Sequence, residues 1–384
     1  MFQVMWLRIF WPKRFRACRT ILVAGGCFVV GLLCAATPQY QSPDISVPGA
    51  SAEEPVLKKF SLTKADDYLE KGVLAWARKR NCVTCHTVGT YVQIRPELAP
   101  VLGKPTQEIH DLLTSQLKEF GNEKTEELQK STNPAQLIYI ASGLAEWDRH
   151  VVKKLSKETD VALRLMFKIQ EASGTWGSLT CWPPFESSAF QEATVAAMAV
   201  SAAPGWRENL KDNNLKTGVA GLQNYLRKTE PPNDYGKVVL LWAAARMPDL
   251  LPKNRRQKLI DTLWSHQRKD GGWSIRTFST PEKWGGGNRA SKLRAEKEFK
   301  NPPSDGHMTG LAVLVLRSAG IATKDERLQR AVKWLLANQR ESGRWWTRSL
   351  NTDKYHYITY SGTAYPLLAL MKCGALPAGL GRER

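Results

Sequence analysis

One spacing recurs three times in this chain of 384 residues: Gln170 with Gly174 and Trp176, Gln267 with Gly271 and Trp273, and Gln339 with Gly343 and Trp345. Each copy closes an amphipathic stretch, Val161 to Ile169, Lys258 to His266 and Leu328 to Asn338, so the pattern falls where a helix ends. The residue types suit that place. Glycine lets the chain turn sharply after a helix. The Gln amide serves exposed helix-end groups while the indole packs over them. A fourth copy, around Leu222 to Tyr225, keeps the helix and Gln223 but lacks Gly and Trp.

Between these stretches run helices of small and apolar residues: Ala135 to Trp147, Glu192 to Ala202, Tyr235 to Arg246, Met308 to Ala319 and Gly362 to Lys372. Amphipathic outer helices alternating with apolar inner ones predict an all-α solenoid or closed α/α barrel. About five helix pairs are expected, with an extra helix near Thr106 to Phe120. The loop Ile275 to Pro303 lengthens one repeat and carries Trp284-Gly285-Gly286-Gly287-Asn288-Arg289; it predicts a flap over one end of the ring or a partner contact. No Gly-Lys-Ser/Thr follows its glycines, which removes the phosphate-loop reading.

Residues 1–36 combine five basic residues with an apolar run from Ile21 to Ala36, the pattern of a signal peptide or N-terminal anchor. The expected organisation continues with a flexible linker over 37–60, a helical region over 61–130, the toroid over 131–376 and a basic tail over 377–384. Export to the periplasm, or tethering outside the cytoplasmic membrane, follows. The formal charge of +19 favours anionic partners such as an acidic membrane surface or redox partner, and no nucleic-acid motif accompanies it. Cys181 and Cys373 either pair as a disulfide or stay separate.

The helix Leu62 to Arg80 runs into Cys82-Val83-Thr84-Cys85-His86, a Cys-x-x-Cys-His sequence. That is the signature for covalent attachment of haem c, with Cys82 and Cys85 as thioether residues and His86 as the proximal iron ligand. A local disulfide or half of a zinc site are the alternatives. Aligning Trp76 with Trp334 places Asn81 at Gln339 and Thr87 at the staple Trp, so the motif occupies the first repeat's own turn. The segment Pro96 to Leu98 resembles the Pro-x-Leu of small class I cytochromes c, and Arg95 is offered as a propionate contact. No methionine lies between His86 and Met166, which leaves His110 or His150 as distal ligands, or an open position.

The Gln-Gly-Trp staples resemble the QW motifs of squalene–hopene and oxidosqualene cyclases, and the helix pairs resemble the wider terpenoid cyclase/prenyltransferase toroid. The resemblance implies a cavity lined by inner helices and their loops, taking a hydrophobic or isoprenoid ligand. It also implies a proton donor in an Asp-x-Asp-Asp-Thr motif. Here Asp305-Gly306-His307-Met308-Thr309 keeps only the first Asp and the Thr. Imidazolium is a weaker acid than a carboxylic acid, so His307 is a poor replacement. Asp305, His307 and Glu192 are the catalytic candidates, with Glu186 nearby. The zinc chemistry of the prenyltransferase branch lacks its Asp-x-Cys. Trp182, Trp242, Trp284, Tyr360 and Tyr365 are pocket or core aromatics.

The sequence therefore predicts an exported c-type haem protein on a cyclase-like toroid, acting in redox chemistry or ligand and partner binding without protonation-initiated cyclisation. The alternatives are a divergent terpenoid- or lipid-modifying enzyme using the toroid cavity, and a structural interaction repeat.

Overall fold

In the computed structural model, the described residues are 37–83, 85–177, 183–185 and 188–376. The expected leader, Cys181, Trp182, Glu186 and the basic tail lie outside them. Twelve helices of the described residues build the ring. In chain order they begin with α1 (Leu62–Arg80), α2 (Thr90–Ile94), α3 (Gln107–Gly121) and α4 (Asn133–Trp147). Next come α5 (Lys157–Lys168), α6 (Ala189–Ala202), α7 (Asn213–Lys228) and α8 (Asp234–Arg246). The last four are α9 (Lys253–Ser265), α10 (Gly306–Ser318), α11 (Glu326–Ala337) and α12 (Ile358–Lys372). Odd-numbered helices are outer and even-numbered ones inner. Each inner helix packs on the next, and α12 returns to α2, which closes the ring.

Burial follows the sequence pattern. In α11 only one face is buried, through Leu328, Ala331, Val332 and Leu335. In α10 and α12 every residue of the first ten is buried, because small side chains let inner helices approach on all sides. Gly310 marks the tightest crossing: a Cβ there would meet the Pro366 ring nitrogen at 2.5 Å. The starts are fixed by side-chain caps, with Ser61, Ser156, Asp212, Asn233, Asp305 and Asp325 each accepting a backbone N–H from the first turn.

The staples work by one geometry. Each indole N–H donates to a carbonyl in the last turn of its own outer helix: Trp176 to Met166 at 2.7 Å, Trp273 to Leu263 at 2.8 Å, Trp345 to Leu335 at 2.8 Å. Each Gln amide then bridges its own Gly carbonyl and the next outer helix. Gln170 reaches Gly218 O of α7 at 3.1 Å and Gln267 reaches Arg327 O of α11 at 2.8 Å. Gln339 reaches Ser61 O at 2.9 Å and accepts from Ser61 N at 2.7 Å, so the third staple joins the last outer helix to the first. The three glycines have φ of +91°, +90° and +90° and lie against the next outer helix, where a side chain has neither the dihedral nor the room.

The ring holds six pairs rather than about five. The added pair is α1 with α2, and the expected extra helix is α3, the outer partner of α4. The α1 turn uses different chemistry: Asn81 ends the helix at φ +45°, and Gln116 of α3 donates to its carbonyl at 2.5 Å. The π-helical turn Cys85–Gly89 then leads straight into α2.

Residues 37–60, expected as a flexible linker, are packed on this closing pair. Tyr40–Gln41 (β1) pairs antiparallel with Ser46–Val47 (β2), and Tyr40 is buried among Tyr68, Trp76, Tyr357 and Tyr360. Arg344, at the third staple, binds Glu54 at 3.1 Å and the carbonyls of Pro48 and Gly49. The loop 275–303 is likewise packed down rather than a free flap: Phe278, Trp284 and Leu293 are buried, and Arg276 pairs with Glu296 at 2.7 Å.

Candidate active site

A cavity of about 610 Å³ opens where the inner helices begin. Its walls come from the end of α1 and the turn after it (Trp76, Arg80, Cys82, Val83, Cys85, His86), the start of α4 (Thr132, Gln136), the Pro183-Pro184-Phe185 turn, Arg289, and the stretch Ser349 to Ile358. Helix N-termini converge here because every outer-to-inner connection crosses the same rim. The volume lies within the range of about 300–1,000 Å³ usual for small-molecule sites.

His86 is held in a defined orientation. Its ring stacks on Tyr357 with centroids 5.1 Å apart and meets Trp76 edge-on at 4.8 Å. Nδ1 lies 2.8 Å from Thr87 Oγ1, which in turn contacts the Tyr40 hydroxyl at 3.0 Å. Desolvation holds the imidazole pKa down at about 4, so the ring is neutral near pH 7. The Cys82 thiol donates to Gln136 Oε1 at 3.2 Å, and Cys85 is buried at the start of the π-helical turn.

A second polar cluster lies deeper, behind Phe185. The His307 ring is fully buried, edge-on to Phe185 at 5.6 Å, with Nδ1 2.7 Å from Ser361 Oγ and Nε2 3.2 Å from the Tyr235 hydroxyl. Burial pushes its pKa down to about 3. Asp305 is pushed up to about 6 by burial, yet it serves as the cap of α10. One carboxylate oxygen accepts from Met308 N at 2.8 Å and the other from Ile275 N at 2.7 Å. Thr309 accepts from Trp273 N and donates to Trp273 O. Thus the two residues retained from the acid motif are structural, and neither Asp305 nor His307 lines the cavity.

The remaining sequence candidates are scattered. Glu192 is buried in the first turn of α6. Arg95 is buried against Asp66 at 3.4 Å and Glu70 at 3.1 Å, and donates to the Leu102 and Gly103 carbonyls, so it is a core ion pair and not a propionate contact. His110 packs on Trp147, and His150 pairs with Glu146 at 3.3 Å; neither lines the cavity with His86. Cys373 is a partly buried free thiol, and Cys181 lies outside the described residues. Tyr360 and Tyr365 are core aromatics, as are Trp242 and Trp284. The sequence reading missed Trp76, Arg80, Phe185, Arg289 and Tyr357 as site residues. The run Tyr355-His356-Tyr357 ahead of an inner helix was the one visible signal.

Residues 233–374 match the model of the squalene–hopene cyclase C-terminal domain. The chain is also similar to solved structures of the type II terpene cyclase MstE from Scytonema. The apo enzyme aligns at 13% identity over 82% of this chain and 100% of its own, with a TM-score of 0.47. A variant in complex with geranylgeranyl dihydroxybenzoate, its substrate, aligns at 13% identity over 82% and 99%, with a TM-score of 0.44. A second variant with the same compound aligns at 14% identity over 76% and 88%, with a TM-score of 0.41. No curated protein matches the chain. The fold is the expected all-α toroid of helix pairs.

The expected c-type haem function, in redox chemistry or partner binding, is corrected by these findings. The matched domain is that of a cyclase, and among the described residues no group of three or more His, Cys, Asp or Glu is placed to hold a metal ion. The divergent terpenoid enzyme, held as an alternative, accounts better for the match and the cavity.

Proposed function

We propose that the protein is a terpenoid-modifying enzyme that takes an isoprenoid chain into the cavity at the inner-helix N-termini. The observation that carries this reading is the aromatic-walled cavity of about 610 Å³ on a toroid whose residues 233–374 match a squalene–hopene cyclase domain. Trp76, Phe185 and Tyr357 present aromatic surface for a hydrocarbon chain and for positive charge developing on it.

His86 is the proton acceptor in this reading. A neutral imidazole of pKa about 4 is a modest base, but it suffices to take a proton from the carbon beside a cationic centre formed when an allylic leaving group departs from the isoprenoid with its electron pair. Loss of that proton leaves an alkene in the product and an imidazolium flanked by Trp76 and Tyr357, whose faces favour the cation. Proton donation by Asp305 is not part of the mechanism, because both its oxygens are occupied by backbone N–H groups.

The test is product analysis by gas chromatography and mass spectrometry after incubation with linear isoprenoids of sesquiterpene to triterpene length. New products are expected, with His86→Ala slowing their formation by about 10²-fold. The wild-type rate is expected to hold level through neutral pH and fall as pH drops through about 4, where His86 becomes charged. A panel yielding neither product nor binding would count against the reading.

A further inference from the structure

The protein engages only one ring nitrogen of the histidine at the cavity. His86 Nδ1 lies 2.8 Å from Thr87 Oγ1, no protein group bonds to Nε2 among the described residues, and the ring lines the cavity. A neutral imidazole carries one proton, and the bond made at one nitrogen decides which of the two holds it. What lies behind Thr87 therefore decides what His86 offers a ligand. Thr87 is fully buried, and the other group its hydroxyl meets is the Tyr40 hydroxyl, at 3.0 Å.

Tyr40 belongs to the segment 37–60 and not to the ring of helices, yet its place is closely fixed. The neighbouring Gln39 amide donates to the carbonyls of Tyr355 and His356 at 2.8 and 3.0 Å, and accepts from the Tyr68 hydroxyl at 2.8 Å. The β1–β2 pairing sets Tyr40 against Val47. The Tyr40 ring lies 5.3 Å from that of Tyr357 and 6.2 Å from that of Trp76, the two rings that hold His86. A buried phenol hydroxyl in this position can donate or accept.

Two settings of these three groups are self-consistent. In one, Tyr40 donates to Thr87 and Thr87 donates to Nδ1, so the imidazole proton sits on Nε2 and faces the cavity. In the other, Nδ1–H donates to Thr87 and Thr87 donates to the Tyr40 oxygen, so Nε2 faces the cavity with its lone pair. Only the second can take a proton from a bound chain. We infer that Tyr40 is a positioning residue for His86, its oxygen accepting the Thr87 proton and so making the proton-accepting tautomer available. The inference rests on the reading of His86 as proton acceptor, and adds that the segment 37–60 completes the site. In the step itself the C–H electron pair becomes the new alkene bond and the proton goes to Nε2, while Nδ1 keeps its own proton in the bond to Thr87. Without the Tyr40 oxygen, Nδ1 is the one acceptor left to the Thr87 hydroxyl among the described residues. Leaving a buried donor unpaired is costly, so the proton is then driven to Nε2.

The experiment reads the His86 tautomer directly, by proton–nitrogen NMR correlation at neutral pH on the full chain carrying isotope-labelled histidine, the His86 signals being assigned with His86→Gln. In the wild type Nδ1 should carry the proton for at least part of the time. Tyr40→Phe keeps the ring packing and removes the hydroxyl, and should move the proton wholly to Nε2. Thr87→Val should do the same, whereas Thr87→Ser, which keeps a hydroxyl, should retain the wild-type signature. With a linear isoprenoid that yields product, Tyr40→Phe should lower kcat by about tenfold or more and leave KM almost unchanged. Circular dichroism checks that each variant is folded, and the Thr87 pair carries the test if Tyr40→Phe is not. Nitrogen shifts of His86 that are the same in the wild type, Tyr40→Phe and Thr87→Val overturn the inference and leave the isoprenoid reading standing. A wild-type proton held wholly on Nε2 overturns it too. If no isoprenoid is bound or converted, the isoprenoid reading goes, and the tautomer shifts still decide the role of Tyr40.

Discussion

His307 shows how burial decides what a residue can do. In sequence it stands where a cyclase keeps an acid, and in the structure it is a neutral ring hydrogen-bonded to Ser361 and Tyr235 with its pKa near 3. His86 and His356 are depressed in the same direction, each to about 4. In the unfolded chain all three take a proton near pH 6.5, whereas the native protein resists until far lower pH. The unfolded state therefore binds more protons between these values, and stability falls as pH drops from about 6.5 toward 4. Asp305, raised to about 6, opposes this between pH 6 and about 4, being a single group against three. Urea midpoints measured across that range should decline for the wild type. They should decline less steeply for His307→Gln, whose amide keeps partners for Ser361 and Tyr235. An unchanged slope in the variant contradicts the assignment. Little of this was legible in sequence. The motif letters Asp305 and Thr309 were visible, but their commitment to Met308 N, Ile275 N and Trp273 depends on chain segments brought together only by folding.

At the scale of elements, the staple is the repeating device, and its parts were readable because each must be one residue type. Only glycine accepts the turn at φ near +90° against a neighbouring backbone, and only Gln and Trp carry the donors at the right reach. The closing pair α1 and α2 was harder to see. Its turn uses Asn81 and Gln116 in place of the staple residues, and α2 is short and entered through a π-helical turn. The rim loops were harder still, since Arg289, Asn351 and Tyr357 come from segments without periodicity. The Cys82 to His86 motif stood out, yet its local spacing says nothing of the Tyr357 and Trp76 rings that enclose His86. The staples differ in what they join, and this gives an order of effects. Gln339→Ala should cost more than Gln170→Ala, by about 1 kcal/mol or more, because Gln339 makes two bonds to Ser61 across the ring closure. Gly343→Ala should cost more again, because its added Cβ falls on the Lys64 backbone. Thermal and urea denaturation of the three variants would rank them. Equal costs for Gln339→Ala and Gln170→Ala would place no special weight on closure.

At the scale of the whole molecule, ring closure makes the site. The third staple draws α1 beside α12, the segment 37–60 fastens over that seam through Tyr40 and Glu54, and the turn after α1 is thereby brought under Tyr357. The cavity is thus assembled from both ends of the ring, which is why neither half of the sequence describes it. A diazirine-bearing prenyl alcohol, photoactivated in the presence of the full chain and mapped by peptide mass spectrometry, tests the central claim that an isoprenoid occupies this space. Labelling is predicted on the peptides carrying Trp76 to His86 and Ser349 to Ile358, and unlabelled prenyl alcohol should compete it away. Labelling confined to the outer helices, or no competable labelling at all, would contradict it.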